Sequence, residues 1–275
     1  MNEWLRRYRI IFPSEHGSWS MLLVPFLIGA GVGLFATTPA LHAGSAVLLC
    51  FLAVMSVFLA RQPVALWDRI RRGRGRRSQL STAVFWAVVL LANAAVAGAG
   101  LLALGRWPVL WLALPALGVL ALTLALTALR GPRQLSVELI GVTGLALAAP
   151  AAYVSATGRL DARGWAVWAV SALHSVISVL YVRLRIDEQH QRATRGQAAW
   201  VVAAHALSVV GLAAAGIAGW LPWPVALPVG LLLVRALVAA WQKPRIEDVK
   251  RFGFTEMGLG LAFAVVVVAA FALLR

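Results

Sequence analysis

Residues 82–104 read TAVFWAVVLLANAAVAGAGLLAL and residues 107–129 read WPVLWLALPALGVLALTLALTAL, with only Gly105 and Arg106 between them. Each run is 23 residues long and contains no Asp, Glu, Lys or Arg. At ~1.5 Å per residue, a helix of that length crosses the ~30 Å hydrocarbon layer of a bilayer. Neither run shows the polar face that a helix at the surface of a water-soluble domain needs. The short connection folds the pair into an antiparallel hairpin. Working outward, the same reading recurs along the chain and predicts nine spans: 19–36, 41–60, 82–104, 107–129, 139–157, 164–184, 198–218, 221–240 and 256–274. Pro108, Pro222 and Pro224 sit near helix starts, whereas Pro115, Pro150 and Pro228 fall inside spans and are expected to kink or interrupt them.

Composition agrees with this reading. The chain of 275 residues is 61% hydrophobic and 13% charged, and its mean hydropathy is +0.83. Soluble domains run nearer 45–50% apolar and about 25% charged. A soluble enzyme, a disordered chain and a disulfide scaffold are thereby excluded; the single cysteine, Cys50, lies inside an apolar run and forms no internal bridge. The expected fold is all-α: a polytopic membrane helical bundle in one domain, residues 19–275, preceded by an N-terminal segment, 1–18.

The formal net charge of +15 would point to nucleic acid in a soluble protein. Here the placement of the charges matters more. With the N-terminus in the cytoplasm, twenty of the 25 basic residues fall on that side, four fall opposite, and Arg235 is left inside the eighth span. Lys and Arg favour the cytoplasmic loops, so the N-terminus is read as inside and the C-terminus as outside. The run Ala40-Leu41-His42-Ala43 has the look of a leader cleavage site. The apolar stretch before it is long for a leader, however, and eight further spans follow, so the first span is expected to stay.

Nine of the ten acidic residues share the cytoplasmic side with the arginines; only Asp161 lies opposite. Ionisable groups in or beside spans either mark function or reach back to the interface. In the sixth span, Ser171, His174, Ser175, Ser178 and Arg185 fall within an arc of about 100° and lead to Asp187 and Glu188. That stripe is either a cavity wall or close helix packing by small polar groups. After the second span, Arg61, Gln62 and Asp68 suit a phosphate, with or without a metal, while the distal arginines from Arg71 to Arg77 hold a loop in the cytoplasm. Glu15 and His16, side by side before the first span, have the chemistry of an acid, a base or a metal ligand. His205 and Asn93 are expected to hydrogen-bond between helices and Arg235 to snorkel. Gly29, Gly31 and Gly33, and Gly258 with Gly260, are expected to permit close helix contact. No Walker, dinucleotide, zinc or serine-elbow motif is present.

The stretch from Pro13 through Ser14, Glu15, His16, Gly17, Ser18 and Trp19 to Pro25, with Phe58 to Pro63 and Arg183 to Glu188, resembles the YwiC-like family of bacterial integral membrane proteins. That resemblance implies a multi-pass protein of the bacterial cytoplasmic membrane and no settled activity. At the level of scaffold the chain is also similar to the UbiA superfamily of intramembrane prenyltransferases, which have nine helices and acidic motifs on the loops after helices two and six. Here Asp68 stands at the first motif and Asp187 with Glu188 at the second. Arg61, Gln62 and Pro63 occupy positions where the superfamily carries Asp or Asn, and Gln191 stands where another acid is expected.

These readings give a leading expectation and two alternatives. If the protein is an enzyme, it is a UbiA-like prenyltransferase taking an isoprenyl diphosphate from the membrane lipids. Asp68, Asp187 and Glu188 would then hold Mg²⁺; Arg61, Gln62, His174, Ser178 and Arg185 would bind substrate; and Glu15, His16 and Asp187 would be catalytic. The alternatives are a transporter or lipid-handling protein without covalent chemistry, and an accessory subunit of a membrane complex. No paired-half repeat of the kind many transporters show is evident.

Overall fold

The computed structural model describes residues 16–37, 41–130, 134–243 and 245–274. Among them, nine helical stretches are long and apolar enough to cross a membrane, and the structure is all-α. Ten helices build them: α1 (His16–Ala36), α2 (Leu41–Arg71), α3 (Leu80–Ala103), α4 (Leu110–Arg130), α5 (Leu135–Leu145), α6 (Ala148–Thr157), α7 (Ala162–Gln189), α8 (Arg195–Ile217), α9 (Ala226–Gln242) and α10 (Val249–Leu273). The fifth span is the one made of two pieces. Pro150 has no N–H to donate to the carbonyl of Ala146, and its ring crowds that carbonyl. The chain answers with a tightened turn, in which Leu147 N–H donates to Gly144 and Ala149 N–H to Ala146. Pro115 and Pro228 do not break their helices; Pro228 lies in the first turn of α9, where a missing N–H costs least, whereas Pro115, in the second turn of α4, forgoes the bond to the Trp111 carbonyl within an unbroken helix.

The segment after residue 60, expected to be a loop, continues α2 as helix to Arg71. Local pairs at helical spacing hold it there: Arg61 lies over Phe58, Arg71 over Trp67, and Arg72 pairs with Asp68. Side-chain caps open α7 and α8. Asp161 accepts from Gly164 N–H and Thr194 from Gln197 N–H, each at 3.1 Å. The two short connections, before α4 and before α9, are built alike. In each, a glycine with φ of 73°, Gly105 or Gly219, precedes a 3₁₀ turn of sequence Trp-Pro-Val.

α1 runs through the centre and packs on α6, α7 and α10. Two apolar clusters meet along it. Val24, Ile28 and Val32 join Tyr153, Val167, Val170 and Phe263, while Leu22, Phe26 and Ala30 join Cys50, Leu101, Leu112 and Ala152. The crossing is close: a Cβ added at Gly29 would sit 1.8 Å from the Ala149 carbonyl oxygen, so helix backbones touch there. Gly33 and Gly31 make similar approaches to α6 and α10, as expected. Gly258, by contrast, has nothing within 4 Å of where its Cβ would be. α3 and α4 lie at the periphery, turning Phe85, Val88, Val96, Trp111 and Leu114 outward. In a bilayer that outer surface faces lipid.

Candidate functional site

The polar stripe expected on the sixth span is on the inner face of α7. Ser171, His174, Ser175, Ser178 and Arg185 are all buried. The His174 ring stacks on Phe263 of α10 at a centroid distance of 4.0 Å, and Gly260 of the same helix lies beside Val24 of α1, where a Cβ would come within 3.0 Å. Nearer the arginine-rich end, Arg185 pairs with Glu188 one turn on, and neither side chain is more than 7% exposed.

Two further helices complete this region. Arg235 of α9 does not snorkel; its guanidinium donates to Glu256 of α10 at 2.6 Å and lies over the Tyr181 ring of α7, 3.9 Å from the centroid. Three helices are thus tied by one cation. His205 of α8 is fully buried, presents its ring edge-on to Tyr181, and donates from Nδ1 to the Val201 carbonyl of its own helix at 2.8 Å. Its expected partner on another helix is therefore replaced by one within α8, and Nε2 is left without one. Asn93 does bridge helices as expected, donating to Ser56 Oγ at 2.7 Å between α3 and α2.

Several buried polar atoms in this part of the bundle have no hydrogen-bond partner: Ser171 Oγ, His174 Nδ1, Ser175 Oγ, Glu188 Oε1, His205 Nε2 and Arg235 Nε. Buried polar groups are normally satisfied, and leaving one unpaired costs free energy. Their gathering on α7, α8 and α9 marks this region off from the apolar packing around α1. At the arginine-rich end, a cavity of about 360 Å³ opens between the end of α7, the start of α8 and the end of α9. It is lined by Glu188, Thr194, Arg195, Trp241 and Lys243, with Ala193, Ala198 and Ala240 behind them. From this mouth a line of polar groups leads inward through Arg185, Tyr181, Arg235 and Glu256, which are electrostatic neighbours, to His205 and His174.

The remaining predicted residues are placed as follows. Asp187 accepts from Gln197 Nε2 at 2.7 Å, which ties the end of α7 to the start of α8. Arg61, Gln62 and Asp68 lie on α2, which packs mainly on α3 and α6. Asp68 is held by Arg72 at 2.9 Å in an exposed pair. Glu15 lies outside the described residues, as does the side chain of His16, whose backbone opens α1. For Mg²⁺ the donors would have to converge, yet Asp68, Asp187 and Glu188 each engage a different local partner. Among the described residues no group of three or more His, Cys, Asp or Glu is positioned to hold a metal ion.

Arg235, Glu256 and Tyr181 are the residues that reading the sequence passed over as a site. The available signal was one unaccompanied arginine in the eighth span and one glutamate at the start of the ninth. A pair across helices leaves no spacing in the sequence.

Nine apolar spans among the described residues, around an inner face of paired charges, define a polytopic α-helical membrane protein. The chain belongs to the YwiC-like protein family, whose model matches it over residues 12–153. No curated protein matches the chain. The family match runs from before α1 into α6, so the charge cluster on α7, α9 and α10 lies beyond it.

Proposed function

We propose that the protein is a carrier, handling a polar-headed lipid or solute without covalent chemistry. The observation that supports this reading is the buried polar line from the mouth at Glu188, Arg195 and Lys243 to His174 and His205. Ionisable groups inside a membrane are costly, and where they face a bundle interior they usually serve a substrate or ion path. The Arg235–Glu256 pair belongs to that line and joins α9 to α10. A head group entering the mouth meets charge of both signs, while an apolar tail remains against the lipid-facing surfaces.

The test is reconstitution of the full chain into vesicles, followed by uptake of small charged solutes and transbilayer movement of fluorescent phospholipids. Movement above protein-free vesicles, lost in the Arg235→Met/Glu256→Leu double variant, is the expected result. Absence of movement for both substrate classes overturns the carrier reading and moves weight to an accessory subunit.

Prenyl transfer is the second reading. It is favoured by one feature, the placing of the charged segments near Asp68 and Asp187 at the ends of the second and sixth spans. Incubation with an isoprenyl diphosphate, Mg²⁺ and an aromatic acceptor tests it; release of diphosphate with a prenylated product would establish it over the carrier.

A further inference from the structure

Asn93 is the central residue of the apolar run 82–104 and lies at the middle of α3, yet it is exposed. Among the described residues no other span carries an exposed polar side chain at its centre. The amide has two N–H donors and a carbonyl oxygen. One N–H goes to Ser56 Oγ of α2 at 2.7 Å, and among the described residues the amide makes no other hydrogen bond. At mid-bilayer no water is present to take up the carbonyl and the second N–H, so leaving them to lipid costs free energy. The Ser56 bond asks for a single donor; the carbonyl asks for a further partner. The surface around the amide can receive a helix. α3 packs mainly on α2 and α4 mainly on α5, so the two spans joined at Gly105 and Arg106 do not close on each other. One turn to either side of Asn93, Val89 and Val96 are 39% and 72% exposed, and Leu52, one turn from Ser56 on α2, is 40% exposed. Ala92 and Ala99 next to them are exposed and short, which leaves room for another helix to approach.

We propose that the seam between α2 and α3 is the interface of a homodimer, in which the Asn93 amides of two copies bond to each other across the two-fold axis. The occupant is a second copy because the amide is donor and acceptor at once. With the axis along the membrane normal, the same residue returns at the same depth, and each amide gives an N–H to the other's carbonyl. A lipid tail offers neither a donor nor an acceptor. An unrelated helix would have to bring a matching polar group to mid-bilayer, whereas a second copy does so by symmetry. Polar side chains bonding across helices and small residues between them are the means by which helices associate in lipid. The proposal is independent of the carrier reading.

The experiment is energy transfer between donor- and acceptor-labelled copies of the full chain in phospholipid vesicles, titrated by protein-to-lipid ratio. Wild-type transfer should saturate as a dimer. Asn93→Val should raise the ratio needed for half-maximal transfer about tenfold, the scale of two interhelical hydrogen bonds. Ser56→Ala is the companion: it loses the same bond within the chain but keeps the amide, and should change that ratio less than about twofold. Cysteine cross-linking places the interface, with the buried native thiol removed as Cys50→Ala. In that background Val96→Cys should oxidise to a covalent homodimer, while Leu114→Cys on α4, 69% exposed, should not. Absence of transfer at every ratio overturns the proposal, as does association unchanged in Asn93→Val. Equal weakening in Ser56→Ala also overturns it, since the effect would then belong to the packing of α2 on α3. A cross-link through Leu114→Cys and not Val96→Cys would put the dimer on another face. A Val96→Cys adduct to a different protein in native membranes would give this face another occupant and refute the homodimer.

Discussion

Replacing Glu256 with Gln leaves the Arg235 guanidinium inside the bundle with no anion beside it. The two side chains are 21% and 15% exposed and 2.6 Å apart, so solvent can replace the lost partner only in part. Removing one member of a buried pair typically costs about 3–5 kcal/mol. The Tyr181 ring, 3.9 Å below the guanidinium, remains and retains roughly 1–2 kcal/mol of cation–π attraction. Partial exposure and that ring place the expected loss near the lower end, about 2–3 kcal/mol. For a chain of this size that corresponds to a fall in Tm of roughly 5–10 °C. The assay is thermal unfolding in detergent followed by tryptophan fluorescence. The double variant Arg235→Met/Glu256→Leu removes both charges and should unfold within a few degrees of wild type, since a buried ion pair exchanged for apolar groups is often neutral. It should nevertheless lose vesicle movement, which separates a functional pair from a structural one. An unchanged Tm in Glu256→Gln would refute the argument that Arg235 depends on this carboxylate, and full movement in the double variant would remove the pair from the path.

Three other outcomes follow from packing and exposure. Gly29→Ala drives a methyl to 1.8 Å from the Ala149 carbonyl oxygen and should destabilise by about 3 kcal/mol, whereas Gly211→Ala, with nothing within 4 Å, should be neutral or stabilising by up to about 1 kcal/mol; the same melts read both. Asn93→Ala breaks the 2.7 Å bond to Ser56 and should cost about 0.5–1.5 kcal/mol, measured by unfolding in mixed detergent. Asp68→Asn disrupts an exposed pair with Arg72, and its Tm should stay within the shift expected of less than about 1 kcal/mol.

What the sequence determined by itself is the part governed by local chemistry and by the solvent. Runs such as 82–104 and 107–129 must be helical and must lie in lipid, because every backbone amide there needs a partner that only its own helix can supply. The inner stripe on α7 was legible for the same reason, since Ser171, His174, Ser178 and Arg185 share a helical face whatever surrounds them. The seam glycines Gly29, Gly31 and Gly33 announced close contact without saying with what. The extension of α2 to Arg71 was missed because hydropathy ends where the lipid ends, while helix formation continues on pairs such as Asp68 with Arg72. The tertiary structure decided which helices meet. Arg235 and Glu256 are far from each other by any helical spacing, and only the packing of α9 against α7 and α10 turns an apparent snorkelling arginine into a buried pair over Tyr181. The mouth at Glu188 likewise draws its lining from three chain segments. A site assembled across helices depends on long-range packing, and that information is absent from the period of any one of them.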